Sequence, residues 1–74
     1  MLKTVKSYFI VDVLESMIYK LVPDEFSSLG DAEHAQRRMC HFYPDSRVRE
    51  QRTIYDINDP DELSRYEAHI SRLA

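Results

Sequence analysis

The chain has little glycine and little cysteine, and both shortages exclude kinds of site. Among its 74 residues, Gly30 is the one glycine and Cys40 is the one cysteine. A phosphate-cradling loop needs several residues without a Cβ atom, so a nucleotide-binding loop is excluded. A lone cysteine forms no internal disulfide, whereas small secreted domains usually carry several. We therefore expect a cytoplasmic protein without a cofactor.

Long apolar runs are missing too. No stretch approaches the roughly 20 apolar residues of a membrane span. The basic start, Met1–Lys6, is followed by a segment that Asp12 and Glu15 interrupt, so we expect neither a signal peptide nor a membrane anchor. With 43% hydrophobic and 31% charged residues, the composition is that of one globular domain, residues 1–74. A partner or a second copy would help so small a chain to bury apolar surface.

Motifs for metal binding and nucleophilic catalysis are also absent. His34 and His41 are seven residues apart, which is about 10 Å along a helix, so they cannot bind one ion together. Cys40 makes no catalytic dyad with the adjacent His41, because neighbouring helical residues point in different directions. We expect its thiol to be a small buried hydrophobe. No motif surrounds His69. We predict no metal site, no catalytic residue and no enzymatic activity.

Residues 5–22 allow two interpretations. Apolar and polar side chains alternate over residues 5–13, and the density of Val, Ile, Phe and Tyr favours a strand. A second strand then starts at Met17, although Glu15-Ser16 is a poor hairpin turn, because such turns favour pairs like Asn-Gly. The alternative for residues 7–22 is an amphipathic helix. Its apolar face would comprise Phe9, Ile10, Val13, Leu14, Met17, Ile18 and Leu21. We prefer the hairpin.

Two later segments predict helices. Ser28 is the predicted N-cap of a helix that runs to about Phe42. Asp59 is the predicted N-cap of a last helix, with Pro60 at its first position, and this helix runs toward Leu73. The core-facing side of the first helix is predicted to comprise Leu29, Ala32, Ala35, Gln36, Met39, Cys40 and Tyr43.

Residues 47–57 predict a strand whose charged centre suits the edge of a sheet. Val48 and Ile54 share one phase of the alternation, but Tyr55 has the other, so we expect a bulge near Gln51–Thr53. The predicted class is therefore α+β, with the order β-β-α-β-α and the helices packed on one face of a short antiparallel sheet. If the first unit is helical, the chain is mostly α, with the order α-α-β-α.

Charge divides the chain into three blocks. Residues 1–36 and residues 54–74 each have a net charge of −3, while residues 37–52 have +3. The basic block is a candidate phosphate-binding patch formed by Arg37, Arg38, Arg47, Arg49 and Arg52. The acidic candidates for binding another protein are Asp24, Glu25, Asp56, Asp61 and Glu62. Because the whole chain has a net charge of −3, we favour a basic protein surface over nucleic acid as the partner.

The last helix carries an apolar stripe at 3-4-3 spacing, formed by Leu63, Tyr66, Ile70 and Leu73. Side chains at this spacing share one side of a helix. We expect the stripe to pack on the sheet, with Leu63, Ile70 and most of Tyr66 buried. The alternative is that it forms the seam of a homodimer.

Two functions follow from these observations. The first is a non-enzymatic module that docks on a basic surface of another protein. The second is a small dimeric regulator that binds nucleic acid through residues 37–52. In its general character of a short, acidic chain without motifs, the protein is similar to small accessory proteins of phages and mobile elements, including anti-CRISPR proteins. This likeness of composition implies an inhibitor that binds a host protein or complex.

Overall fold

The density of β-branched and aromatic residues near the start produces a long first strand. A computed structural model describes residues 1–73, and its element bounds confirm the predicted α+β class and the order β-β-α-β-α. The elements are β1 (Leu2–Leu14), β2 (Met17–Lys20), α1 (Leu29–Met39), β3 (Ser46–Asp56) and α2 (Pro60–Arg72). The alternative of a helix over residues 7–22 is wrong, because β1 and β2 occupy that segment.

The sheet is antiparallel, with β1 between β2 and β3. The register between β1 and β3 runs without interruption from Leu2↔Asp56 to Asp12↔Ser46. The predicted bulge near Gln51–Thr53 is therefore wrong. β3 carries apolar side chains in both phases because each of its faces contacts a helix. The prediction that this strand lies at an edge is confirmed.

The β1–β2 turn adopts the conformation that the sequence disfavours. Glu15 and Ser16 have φ angles of 52° and 68°, so both lie in the left-handed region that a two-residue type I′ turn requires. Neither residue is glycine, so the turn stores strain. The pairing of Leu14 with Met17 closes the hairpin nevertheless, because the strand pairs that follow stabilise it.

Each helix contacts a different face of the sheet, rather than the one face that we expected for both. In α1, Gln36 donates a hydrogen bond to the Ser46 hydroxyl at 3.1 Å. In α2, His69 makes a 2.9 Å hydrogen bond with the Tyr55 hydroxyl. Ser46 and Tyr55 are an odd number of residues apart on an unbroken strand, so their side chains point to opposite faces. Side chains on both faces of β1 are buried, and the apolar core comprises Val5, Tyr8, Ile10, Val11 and Ala32.

The helix ends agree only partly with prediction. Asp59 caps α2 by accepting a hydrogen bond from the Asp61 amide at 2.9 Å, and Pro60 opens the helix. Ser28 is the N-cap residue of α1, but its side chain makes no capping hydrogen bond. The expectation that Cys40 is buried is wrong, since it lies exposed after the last turn of α1 and its Sγ donates to the carbonyl of Arg37.

The side of α2 that faces the sheet is shifted by one residue from the side that we predicted. Ile70 is 45% exposed, so its expected burial is wrong, while its neighbour His69 is only 4% exposed. Leu63, Tyr66 and Leu73 are half-buried. The helix turns His69 inward because this ring, together with Tyr66, contacts Tyr55 of β3.

Candidate functional site

The β1–β2 hairpin extends beyond the rest of the sheet. The last residue of β1 that pairs with β3 is Asp12, whereas pairing with β2 continues to Leu14. We call residues 13–19 the hairpin tip. Its exposed apolar side chains are Val13, Leu14, Met17, Ile18 and Tyr19. The pairs Val13↔Ile18 and Leu14↔Met17 point to opposite faces, so both faces of the tip are apolar.

Two aromatic residues lie at the same end of the sheet. Phe42 is 81% exposed and Tyr43 is also exposed. They precede Ser46, whose amide donates to the Tyr43 carbonyl at 3.0 Å and which pairs with Asp12 beside the tip. We call the hairpin tip together with Phe42 and Tyr43 the hairpin end. A concentration of exposed apolar side chains is typical of a protein-binding surface.

This surface was not predicted from the sequence, because alternation indicates a strand but does not show how far a hairpin extends past the neighbouring strand. Tyr43 was expected on the core-facing side of α1, but the helix ends at Met39. The sequence does contain one indication of this surface, which is that the apolar hairpin segment is longer than the strand predicted to pair beside it. The apolar pattern of the hairpin continues to Val22, and no later segment supplies a strand long enough to cover its tip.

The structure separates the acidic candidates into two places. Asp56, Asp61 and Glu62 lie around the start of α2. Asp24 and Glu25 instead lie near its C-terminal end, where both line a small cleft with Arg72. No single acidic face therefore unites all five residues.

Asp56 is engaged within the molecule. Its carboxylate accepts a hydrogen bond from the Asn58 amide at 3.1 Å and pairs with the amino terminus of Met1 at 3.3 Å. The Asn58 hydrogen bond and then the amino terminus hold the pKa of Asp56 below its ordinary value. This residue therefore fixes the chain around the β3–α2 turn.

A partly buried polar chain links three elements. We call it the Glu25–His69–Tyr55 network. His69 Nε2 lies 2.8 Å from Glu25 Oε2, and His69 Nδ1 lies 2.9 Å from the Tyr55 hydroxyl. A neutral ring that carries its proton on Nε2 donates to Glu25 and accepts from Tyr55, so every member is satisfied. The network therefore ties the β2–α1 segment to α2 and β3.

The network also changes the acidity of Glu25. Partial burial raises its pKa, but the hydrogen bond from His69 and the nearby charge of Lys20 together outweigh that effect, and the pKa lies below the ordinary value of 4.5. The Oγ atom of the buried residue Ser7 makes no hydrogen bond within residues 1–73.

The order carboxylate–imidazole–hydroxyl is one that relays protons in hydrolases. Here the imidazole is enclosed and the hydroxyl belongs to Tyr55, a weak acid. The cleft next to the network contains Glu25 but does not include Tyr55 or His69 in its lining. The geometry therefore explains the network as a structural tie.

The basic candidates do not form one continuous patch. Arg37 and Arg47 line a groove of about 450 Å³ between α1 and β3, together with Glu33. Arg38 is bound to His34 at 3.1 Å, and Arg52 is paired with Glu50 at 2.6 Å. The fifth candidate, Arg49, is an exposed residue of β3. The groove thus contains two arginines and one opposing carboxylate.

Other sites receive no support from the described residues. Across residues 1–73, His, Cys, Asp and Glu side chains nowhere gather in a group of three able to hold a metal ion. Neither α1 nor α2 has the length and apolar character needed to cross a membrane. No protein-family model matches the chain, and comparisons with curated proteins and with solved structures likewise give no match.

Proposed function

We propose that this protein is a non-enzymatic protein-binding module that contacts its partner through the hairpin end. The supporting observation is the exposure of apolar side chains on both faces of a hairpin that extends past β3. Leu14 and Met17 are among them, at 58% and 59% exposed. Aromatic and Met side chains are enriched in binding interfaces, and Phe42, Tyr43, Met17 and Tyr19 supply them here.

The chemistry of the partner follows from the charges around the hairpin end. Glu15 lies in the turn, and Asp45 lies beside Ser46. Asp61 and Glu62 lie at the start of α2, after the end of β3 that pairs with Leu2, so they add negative charge at the opposite end of the sheet. A partner with an apolar pocket inside a basic surface matches this arrangement, since acidic side chains steer such an encounter. A module that occupies a basic surface of a host protein would block that surface, in the manner of phage-encoded inhibitors.

Nucleic-acid binding is the second candidate, because Arg37 and Arg47 share a groove. Two arginines are few for a phosphate grip, since affinity for nucleic acid grows with the number of phosphates neutralised. Glu33 in the same groove repels phosphate, and Arg52 is already paired with Glu50. We therefore place protein binding first.

The test compares three double variants. Leu14→Ser with Ile18→Ser removes apolar surface from both faces of the hairpin tip. Leu29→Ser with Ile70→Ser is the matched control, because these side chains are similarly exposed but lie on the helices. Arg37→Ala with Arg47→Ala removes the groove arginines. The tagged proteins are used to capture partners from source cells, and the affinity of each variant is then measured with the purified partner.

The proposal expects the hairpin variant to weaken partner binding at least about tenfold, as the loss of hot-spot side chains does. The control variant should bind within about twofold of wild type, and charge reversal at Glu15 and Asp45 should slow association. Sub-micromolar binding to DNA or RNA that the arginine variant abolishes would replace protein binding with the second candidate.

A further inference from the structure

The backbone of β3 alternates in direction, and the alternation can be assigned. Just beyond the strand, the Ile57 amide donates to the Met1 carbonyl at 3.0 Å. Residues of an antiparallel strand direct their N–H and C=O groups alternately to one neighbour and to the other side. Odd-numbered residues of β3 therefore bond to β1, and even-numbered residues direct their backbone groups outward. β1 agrees, because Tyr8 exchanges its two hydrogen bonds with Phe26 on the opposite edge.

Both ends of this outer edge are already occupied. The Ser46 amide donates to the Tyr43 carbonyl, and the Ser46 carbonyl accepts from the Gln36 side chain at 3.1 Å. At the other end, the Asp56 carbonyl accepts from the Asp59 amide at 3.1 Å. Within residues 1–73, β3 has a strand neighbour on one side only. The outward backbone groups without a strand partner belong to Val48, Glu50, Arg52 and Ile54.

We propose that this edge pairs with the same edge of a second copy of the chain, antiparallel and centred on Gln51. This set of residues is symmetric about position 51. Val48 then pairs with Ile54 of the second copy and Glu50 with Arg52, and each relation occurs twice. The four pairs exchange two hydrogen bonds each. The result is one continuous sheet of six strands in which every free outward group of β3 is satisfied.

The side chains select this register. Glu50 and Arg52 lie on the same face of β3 and pair with each other at 2.6 Å. In the proposed dimer each also faces the opposite charge of the second copy, which makes a square of alternating charges. A shift of the axis by one position, to 50 or 52, opposes Glu50 to Glu50 or Arg52 to Arg52, and like charges directly opposite destabilise a sheet. The charges of β3 were expected to prevent pairing at this edge. In the register centred on Gln51 they are instead complementary.

Apolar burial and the charge blocks also support pairing between two copies of β3. Ile54 is 61% exposed on an edge strand, a liability unless it is covered. Pairing covers it with Val48 of the second copy, beside the groove that Arg37 and Arg47 line. The chain that follows Ile54 is acidic, with net charge −3 over residues 54–74, and it approaches the basic block of residues 37–52, which has +3. The dimer brings the two blocks of opposite sign together. This inference does not depend on the proposed function.

The experiment uses two charge reversals and their mixture. Glu50→Arg gives a chain with arginine at both positions, and Arg52→Glu gives a chain with glutamate at both. The wild-type chain, with a mass of 8.8 kDa, should sediment as a dimer. Each variant alone should dissociate at least about tenfold more readily. Mixed in equal amounts, the two should form a heterodimer, because each arginine then faces a glutamate.

The mixture separates pairing between chains from pairing within a chain, since the internal Glu50–Arg52 bridge stays broken in both variants. Circular dichroism of each variant checks that the monomer is folded. The control pair, Arg65→Glu and Glu67→Arg on the exposed side of α2, makes the same charge changes away from the edge and should leave the dimer unchanged. A wild-type monomer at 100 µM, roughly a working concentration for weak dimers, would overturn the proposal. So would two single variants that dimerise as well as wild type, or a mixture that forms no heterodimer.

Discussion

The two edges of the sheet differ in almost every physical respect. The β2 edge is short, four residues from Met17 to Lys20, and its hairpin carries exposed apolar side chains on both faces. The β3 edge is eleven residues long and rich in charge. The β2 side ends in a strained turn at Glu15 and Ser16, whereas both ends of the β3 edge are fixed by hydrogen bonds.

The two edges therefore suit different kinds of partner. Few strands can pair with a charged edge, because most registers place like charges opposite each other. The β3 pattern is complementary to itself, so we assign that edge to a second copy. Apolar side chains impose no such register and gain stability from any matching pocket. We therefore propose that the hairpin end contacts a different protein.

The largest expected effect comes from the strand that both edges share. Ile10 on β1 is fully buried, so Ile10→Ala should destabilise the fold by about 2–5 kcal/mol and abolish both surfaces together. Ile70→Ala should cost less than about 1 kcal/mol, because that side chain is largely exposed on α2. Urea denaturation measures both. Equal losses for the two variants would contradict the observed orientation of α2.

A smaller effect is expected at the Glu25–His69–Tyr55 network, which links the β2–α1 segment to α2 and β3. His69→Phe keeps a ring but leaves Glu25 and Tyr55 without their partner, which should cost about 1–3 kcal/mol. The exposed His34 provides the control, and His34→Phe should change stability by less than about 0.5 kcal/mol. A loss no larger than that of the control would show that the network contributes nothing.

The network also predicts a pH dependence with a definite sign. The pKa of Glu25 is lowered in the folded protein, so its contribution is complete above the ordinary pKa of 4.5. The contribution is lost as the pH falls from there through the lower folded value. The stability difference between wild type and Glu25→Gln should therefore shrink on acidification. A difference that stays constant or grows between neutral pH and acid would contradict the assignment.

A change at the hairpin turn should affect the β2 edge and leave the β3 edge unchanged. Asn-Gly at positions 15 and 16 suits the positive φ angles of this turn. Glu15→Asn with Ser16→Gly should therefore raise the free energy of unfolding by about 1–2 kcal/mol. Dimer formation through β3 should not change. A destabilised double variant, measured by thermal unfolding, would argue against the strained turn.

The smallest effects concern the helix caps. Asp59→Ala removes the side chain that accepts from the Asp61 amide and should cost about 1 kcal/mol. Ser28→Ala should be nearly neutral, because the Ser28 side chain makes no capping hydrogen bond. Equal losses in the two variants would contradict the difference in capping.

Local chemistry was enough to predict the element order. Proline and aspartate at residues 59–60 define the start of α2, and the density of β-branched residues defines β1. The faces were harder, because the inward direction of His69 depends on Glu25, which is distant in sequence. The extent of the hairpin past β3 depends on register, and local alternation carries no information about register. The acidic and basic candidates could be named from charge, but only the register shows which residues share an edge.

Residue-resolved amide exchange at rising protein concentration shows whether β3 pairs with the β3 strand of a second copy. The amides of Val48, Glu50, Arg52 and Ile54 should exchange more slowly as concentration increases. Those of Arg49, Gln51 and Thr53 already bond to β1 and should be protected at every concentration. Outward amides that exchange rapidly at all concentrations, or protection that develops in the hairpin tip instead, would contradict the account.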